Sequence, residues 1–507
     1  MISIPLNKLV SRTLIISVYI AVIAIILVGI SKVIGYLNTG ADRSLMLHTK
    51  IYETVHYQPQ ITWTTANNMG RHIDKTTLQS IEKDYLNSWY VKQIALKNNT
   101  NKGLKNYYTK SALSNLTKNI THNTNNNISI ESTTLKHQPS IDFFSEDGQT
   151  VLITDENIIE KKEIYQNQKL ILESSEQNTY QFLLLLEDGF WKIRQVLKIS
   201  PTKNTTSTLA NLTLHHQIKG INYYPQNTPW NMFGDEFDIT TIEKDFDLIQ
   251  KSGLNTIRIF IQYNDFGKSE IKPEKIKKLQ QVLDIANQKK LKAIVTLFDF
   301  YGDYSVIDWT LNNKHALGIV NAIKNHPALL AWDIKNEPNL DFNSRGKKRV
   351  TAWLTQMVNH VKIIDTIHPV TIGWSNTKSA SILANKVDFV SFHYYEDLKD
   401  LSTKYQKMKK EIPNKTIVLG EYGMSNYRGI WNPFGSSEKD QAEYHQKFQE
   451  IAQQHQIPFI SWTLYDFTKI PKEVVGKLPW RKNNQKHFGF INNKGEKKKS
   501  FNFITKP

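Results

Sequence analysis

The spacing of apolar residues changes character along the chain. Residues 13–30 read TLIISVYIAVIAIILVGI, 18 positions without a charge, bounded by Arg12 and Lys32. A spanning helix needs roughly 18 or more such residues, so this run predicts a transmembrane helix over 13–33, behind a cytoplasmic N-terminus of residues 1–12. A secretory signal peptide has a shorter apolar region, about 7–15 residues, and a small-residue cleavage site. No such site follows Ile30, which favours an uncleaved signal anchor. Lys8 and Arg12 precede the span, while Lys32 and Arg43 follow it, a weak bias toward an inner N-terminus. The expected placement is single-pass in the cell (inner) membrane, with the rest of the chain on its extracytoplasmic, periplasmic side. A buried core helix is the plain alternative, but the run stands alone at the extreme N-terminus.

Residues 45–200 begin with helix-like patterning through Tyr85, Trp89 and Tyr90, then pass to strand-like alternation. The clearest hairpin runs from Tyr180 to Ile199, with Asp188-Gly189 as its turn. Helices followed by an antiparallel sheet predict a small α+β domain. The stretch KGLKNYYTKSALSNL from Lys102 resembles the cone-shaped fold of the nuclear transport factor superfamily. No catalytic constellation shows in this part, so spacing, or docking a protein partner, is its default role. The polar run PTKNTTST at Pro201 marks a linker over 201–214.

Beyond it, over 215–507, short β-branched runs alternate with helical stretches, the pattern of a parallel α/β fold. IKGINYY, TIRIFI, KAIVTLF and LLAWDI start about 37 residues apart, close to one βα unit each. VTIGW, FVSFHYY, TIVLGEYG and PFISWTLYDF continue the series. The predicted fold is therefore α/β: a (β/α)8 TIM barrel, preceded by the small α+β domain and one transmembrane helix. No glycine-rich loop follows the first strand, which argues against nucleotide binding.

Composition adds limits. The chain of 507 residues is 40% hydrophobic and 22% charged, an ordinary globular balance. Its net charge of +17 is scattered and carries no nucleic-acid motif, so a solvated basic surface is the simpler meaning. Zero cysteines exclude disulfides, thiolate metal sites and cysteine nucleophiles together. No H-E-x-x-H helix or clustered ligand triad appears, so neither metal nor cofactor is expected.

In such a barrel chemistry sits at the C-terminal ends of the strands. Strand four ends in Asn336 and Glu337, strand seven in Glu421. One glutamate at a strand end is commonly a solvated or paired group. Two facing each other across the mouth can break a glycosidic bond by double displacement if about 5–5.5 Å apart. HPALLAWDIKNEP from His326 and IVLGEYG from Ile417 resemble the paired motifs of glycoside hydrolase clan A, nearest to family 5, the cellulases and mannanases. HFGFINNKGEKKKSF resembles the usual ending of these barrels.

The resemblance implies a membrane-anchored retaining glycosidase acting on a β-linked glycan, with Glu337 as acid/base and Glu421 as nucleophile. It gives Asn336 the 2-hydroxyl of the sugar and places Arg258 beside the nucleophile. It also assigns His393, Tyr395 and Trp462 to the site. While Glu421 is ionised its charge is expected to keep Glu337 protonated. A structural ion pair for Arg258 and a core histidine for His393 are the plainer alternatives. Family 5 usually carries a histidine at the end of strand three; here Phe298, Asp299 and Phe300 stand there, and Asp299 is the expected replacement contact. Tyr223, Tyr224, Trp230, Tyr301, Trp309, Trp374 and Trp431 follow barrel strands and are candidate sugar platforms, Trp374 foremost. Asp333 and Asp466 are expected to be structural. The competing reading is a non-catalytic glycan-binding or assembly component of a membrane polysaccharide complex.

Overall fold

The computed structural model describes residues 16–30, 57–64, 68–201, 212–214, 216–429, 432–471, 474 and 479–505. Residues 16–30 are helical, with exposed side chains. Among the described residues no helix is long and apolar enough to cross a membrane. The remainder of the apolar run lies outside the described residues, as does Trp431. The chain divides into two compact units, Met1–Asn204 and Thr205–Pro507.

In the first unit, the helix Lys75–Asn98 starts where the Asp74 side chain accepts a hydrogen bond from Thr77 N and stops at Asn99, which takes the left-handed conformation. Its buried face, with Ile81, Tyr85 and Trp89, packs on a five-stranded sheet. The sheet runs β1 (Gln60–Ile61), β2 (Ile128–Phe144), β3 (Thr150–Gln166), β4 (Lys169–Glu187), β5 (Phe190–Pro201). Only the β1–β2 pair is parallel. Asp188 and Gly189 join β4 to β5 with positive φ of 53° and 75°, the geometry a two-residue hairpin requires. In the core of the unit His137 Nδ1 lies 2.6 Å from Asp155 Oδ2, which also accepts from the Tyr85 hydroxyl at 2.6 Å. His137 Nε2 reaches Thr134 Oγ1 at 2.8 Å, so this buried pair is fully bonded.

The second unit is a closed parallel barrel of eight strands: β6 (Lys219–Asn222), β7 (Thr256–Gln262), β8 (Lys292–Asp299), β9 (Leu329–Asn336), β10 (Val370–Trp374), β11 (Val390–Tyr394), β12 (Ile417–Tyr422) and β13 (Phe459–Ser461). Each falls on a run marked in the sequence, and β13 pairs β6 to close the ring. Leu214, Ile218, Ile294, Ala331, Phe389, Val418 and Ile460 form a buried apolar cluster drawn from the strand beginnings and the residues just before them. Apolar packing thus fills one end of the barrel and leaves the other to polar side chains.

The apolar end is tied together by Asp388, whose carboxylate accepts from Leu212 N and Lys362 Nζ, each at 2.7 Å, and from Val370 N at 2.8 Å. Lys362 and Asp388 are both buried. Replacing Asp388 by alanine takes its carboxylate from a buried ammonium and leaves two amides without their acceptor, a loss of about 3–5 kcal/mol. In urea titrations of the full chain followed by tryptophan fluorescence, Asp388→Ala is expected to move the barrel transition to much lower urea, and Asp388→Asn to move it less. An unchanged midpoint for the alanine variant refutes this role.

Candidate active site

The polar end is organised around Arg258, in the middle of β7 and fully buried. Its Nη1 donates to Asn222 Oδ1 at 2.9 Å and to Glu421 Oε1 at 2.8 Å. Nη2 donates to Asp333 Oδ2 at 2.6 Å and Asn336 Oδ1 at 2.9 Å, and Nε to Asp333 Oδ2 at 3.1 Å. Five bonds occupy the five N–H groups of a guanidinium, which an ammonium cannot match. Asp333 is itself fixed by Thr296 Oγ1 at 2.9 Å and Gly373 N at 2.9 Å. A Cβ on Gly373 would lie 2.8 Å from Arg258 Nη2, so β10 approaches the guanidinium only because this residue has no side chain. Asp333 stands behind Arg258, which in turn bonds Glu421. Asp466 is likewise bonded to Lys498 Nζ at 2.7 Å and Gly489 N at 2.9 Å.

Glu337 follows β9 in the left-handed conformation, φ 48° and ψ 47°, and its amide donates to Gly373 O at 2.7 Å. This turns the carboxyl over the barrel mouth toward Glu421 on β12. His393 Nδ1 sits 2.8 Å from Glu337 Oε1 and 3.4 Å from Glu421 Oε2. The Tyr395 hydroxyl donates to Glu421 Oε2 at 3.0 Å. Glu337, His393 and Glu421 each present an atom within 4.8 Å of the others. Inverting chemistry places its carboxyl groups about 6.5–9.5 Å apart to admit a water, whereas covalent double displacement uses about 5–5.5 Å. The observed spacing suits the second.

The same three groups have the donor types that can hold a cation. Arg258 and Tyr395 already bond both oxygens of Glu421, which leaves this carboxylate less free for a cation.

The electrostatics differ from the sequence expectation. Burial pushes the Glu421 carboxyl above its ordinary range, against the charges of His393 and Arg258 and the Tyr395 hydrogen bond. Burial also acts to raise Glu337, but the hydrogen bond and charge of His393, then Arg258 and Lys335, outweigh it and hold this carboxyl low. Of the two carboxyls, Glu421 is therefore the one biased toward its protonated form. The imidazole is the reason: it lies closer to Glu337, an arrangement that strand position alone does not disclose.

Above the glutamates lies a cleft of about 1220 Å³. That exceeds the roughly 300–1,000 Å³ of a drug-sized pocket and leaves room for an oligosaccharide. Asn336, Glu337, Glu421, Tyr395, Trp462 and Asp299 all line it, together with the aromatics Tyr224, Trp230 and Tyr301. Trp462 Nε1 is buried without a hydrogen-bond partner, a donor left for a ligand. Burial pushes the Asp299 carboxyl up to about 6, against the charges of Lys335 and Arg258.

Other expectations need correction. Trp374 is buried and packs on Phe342, ring centroids 6.2 Å apart, and is not part of the cleft wall. Tyr223 and Trp309 are also core residues. Arg258 and His393 act from beneath: they grip the carboxylates and do not line the cleft. Sequence reasoning missed Lys335, Phe300 and Phe434 on the wall and Asn222 beneath Arg258. A lysine beside Asn336, two residues after Asp333 in a strand that begins apolar, was the available signal for the first; Asn222 offered none.

The cellulase family, glycosyl hydrolase family 5, matches residues 214–468, which include both glutamates. Mouse β-glucuronidase is 24% identical over 284 residues, covering 51% of this chain and 40% of that protein. Mannan endo-1,4-β-mannosidase 3 of Arabidopsis thaliana is 24% identical over 211 residues, covering 27% of this chain and 51% of that one. The chain thus spans about half or less of the length of these curated relatives. Among solved structures, an exo-β-1,4-mannosidase from Opitutaceae bacterium strain TAV5 is 16% identical with a TM-score of 0.47, covering 59% of this chain and 60% of that one. With the family match running across all eight strands from β6 to β13, this chain belongs to glycosyl hydrolase family 5.

Proposed function

We propose that the chain is a retaining β-glycosidase that cleaves O-glycosidic bonds by double displacement, with Glu421 as nucleophile and Glu337 as acid/base. The observation that carries this is the approach of the two carboxylates, from the ends of β9 and β12, to within 4.8 Å. Arg258 and Tyr395 each hold one oxygen of Glu421, which aims it and stabilises its ionised form.

Proton placement then follows from desolvation. The Glu337 side chain is 25% exposed, against 7% for Glu421. A sugar entering the cleft therefore removes more water from Glu337, raising its affinity for the proton and leaving Glu421 charged. Glu337 gives this proton to the departing oxygen as Glu421 attacks the anomeric carbon. Once Glu421 is esterified its charge is gone, and Glu337 takes a proton from the incoming water as the water oxygen bonds to the anomeric carbon and the ester bond to Glu421 breaks. Asn336, fixed by Arg258, is placed to bond the 2-hydroxyl.

The substrate class follows from family and neighbours: a β-linked glycan, with mannosides and glucuronides represented among the relatives. The uncharged run over 13–30, helical over 16–30, supports a membrane tether that leaves the barrel extracytoplasmic. Alkaline washing of membranes should leave the full chain in the pellet and release residues 208–507; full release of both removes the tether.

With Glu337→Gln, turnover of a glycoside with a poor leaving group should fall about 10²–10⁴-fold, while an activated aryl glycoside is spared in the first step. Glu421→Gln should abolish both. NMR of the first product should show retained anomeric configuration; inversion rules out the covalent intermediate.

The pH profile supplies a separate check. A carboxyl raised by burial is protonated over more of the acid range, so kcat/KM should fall on its acid side above the ordinary glutamate range. Tyr395→Phe removes a hydrogen bond that favours the ionised form, and this limb should move to higher pH. A shift to lower pH, or none, contradicts Glu421 as the group that must be ionised.

A further inference from the structure

Two charged side chains that line the cleft beside the catalytic pair are only loosely held by their protein partners. Asp299 ends β8, and Lys335 stands two residues before Glu337 on β9. Each residue is only 5% exposed. The Tyr224 hydroxyl lies 3.4 Å from Asp299 Oδ2. Lys335 Nζ lies 3.7 Å from Asp341 Oδ2 and 3.5 Å from Asn336 O. These three contacts exceed the usual hydrogen-bond limit of about 3.2 Å, and the Phe300 backbone N–H is a further donor to Asp299. A carboxylate has roughly four acceptor sites and an ammonium three protons, so part of the capacity of both groups is unspent inside a buried wall.

The backbone next to them is strained in the same direction. Phe300, directly after Asp299, has φ 56° and turns a partly exposed ring onto the cleft. Bulky residues rarely adopt this region, and such conformations gather where a ligand is held. The end of β8 therefore offers a buried acceptor and an apolar ring side by side, with the ammonium of β9 adjoining.

We propose that Asp299 and Lys335 jointly bind hydroxyls of a neutral sugar ring and select against a ring bearing a carboxylate, a hexuronate. The inference rests on the glycosidase reading above and narrows its substrate. A hydroxyl both donates and accepts, so a pair of ring hydroxyls supplies the proton Asp299 lacks and the oxygen Lys335 lacks. A uronate carboxylate only accepts. It gives Asp299 nothing, and its charge adds to those already around the ammonium, where Asp341, Asp299, Glu337 and Asp333 all act on Lys335. Lys447 is the one other cation on the cleft wall among the described residues, and Glu443 and Asp440 share that wall. The barrel mouth is thus locally acidic in a chain of net charge +17.

The test compares the purified full chain, Asp299→Asn and Lys335→Met on 4-nitrophenyl β-glucoside, β-mannoside and β-glucuronide, with thermal melts to confirm that each variant folds. The wild type should turn over at least one neutral hexoside, with kcat/KM for the glucuronide lower by about 10³ or more. Asp299→Asn should lower kcat/KM for the neutral substrate about 10²-fold, chiefly through KM, and narrow the gap to the glucuronide at least tenfold. Lys335→Met should lower it too without admitting the glucuronide. Preference for the glucuronide by the wild type, or an unchanged ratio in a folded Asp299→Asn, overturns the inference and leaves the glycosidase reading intact. Should Asp299→Asn fail to fold, Lys335→Met decides: neutral turnover at wild-type level overturns the pair. No turnover of any glycoside by the wild type defeats both.

Discussion

A single guanidinium, buried inside the barrel, is the constraint from which the rest of the site follows. Isolated, the Arg258 charge would be very costly there, and only a complete set of acceptors makes it tolerable. Those acceptors come from three strands: Asn222 from β6, Asp333 and Asn336 from β9, and Glu421 from just inside the end of β12, with β7 holding the arginine itself. Glu421 is thus one of the groups that neutralise a structural charge, and its aim is set by the same bonds that stabilise the barrel mouth.

The two glutamates have the same chemistry and unequal surroundings. Glu421 is walled in by Arg258 and Tyr395, whereas Glu337 reaches over the rim from a left-handed backbone position and remains partly wet. His393 touches both and lies nearer to Glu337. Their inequality in the empty site is therefore a property of access to water and of one imidazole. It is a balance that a ligand can reverse by excluding solvent from one side.

Much of this was legible in the sequence because barrels place chemistry at strand ends in a fixed order. Eight β-branched runs fall on eight strands, and Glu337 and Glu421 sit where β9 and β12 finish. The Asp188-Gly189 turn was legible for a local reason, since both residues tolerate positive φ. What could not be read was the direction of side chains at those ends. Trp374 lies at a strand end like its neighbours, yet it packs on Phe342, and Arg258 and His393 point under the glutamates. Asn222 carries no pattern at all; its importance appears only when β6 lies beside β7. Such contacts join residues far apart in the chain, and local periodicity holds no information about them.

The closeness of Gly373 to Arg258 also bears on how this active site is assembled. The guanidinium bridges β6, β7, β9 and β12, and β10 must slide past it with only a hydrogen atom to spare. A partial barrel ending at β9 holds Glu337 and three of the four residues that cage the guanidinium, but Arg258 there lacks the Glu421 carboxylate that only β12 delivers. Glu337 and Glu421 therefore face each other only when β12 has joined β6, β7 and β9 around the guanidinium, so the pair is a property of the nearly complete ring and of no smaller part of it.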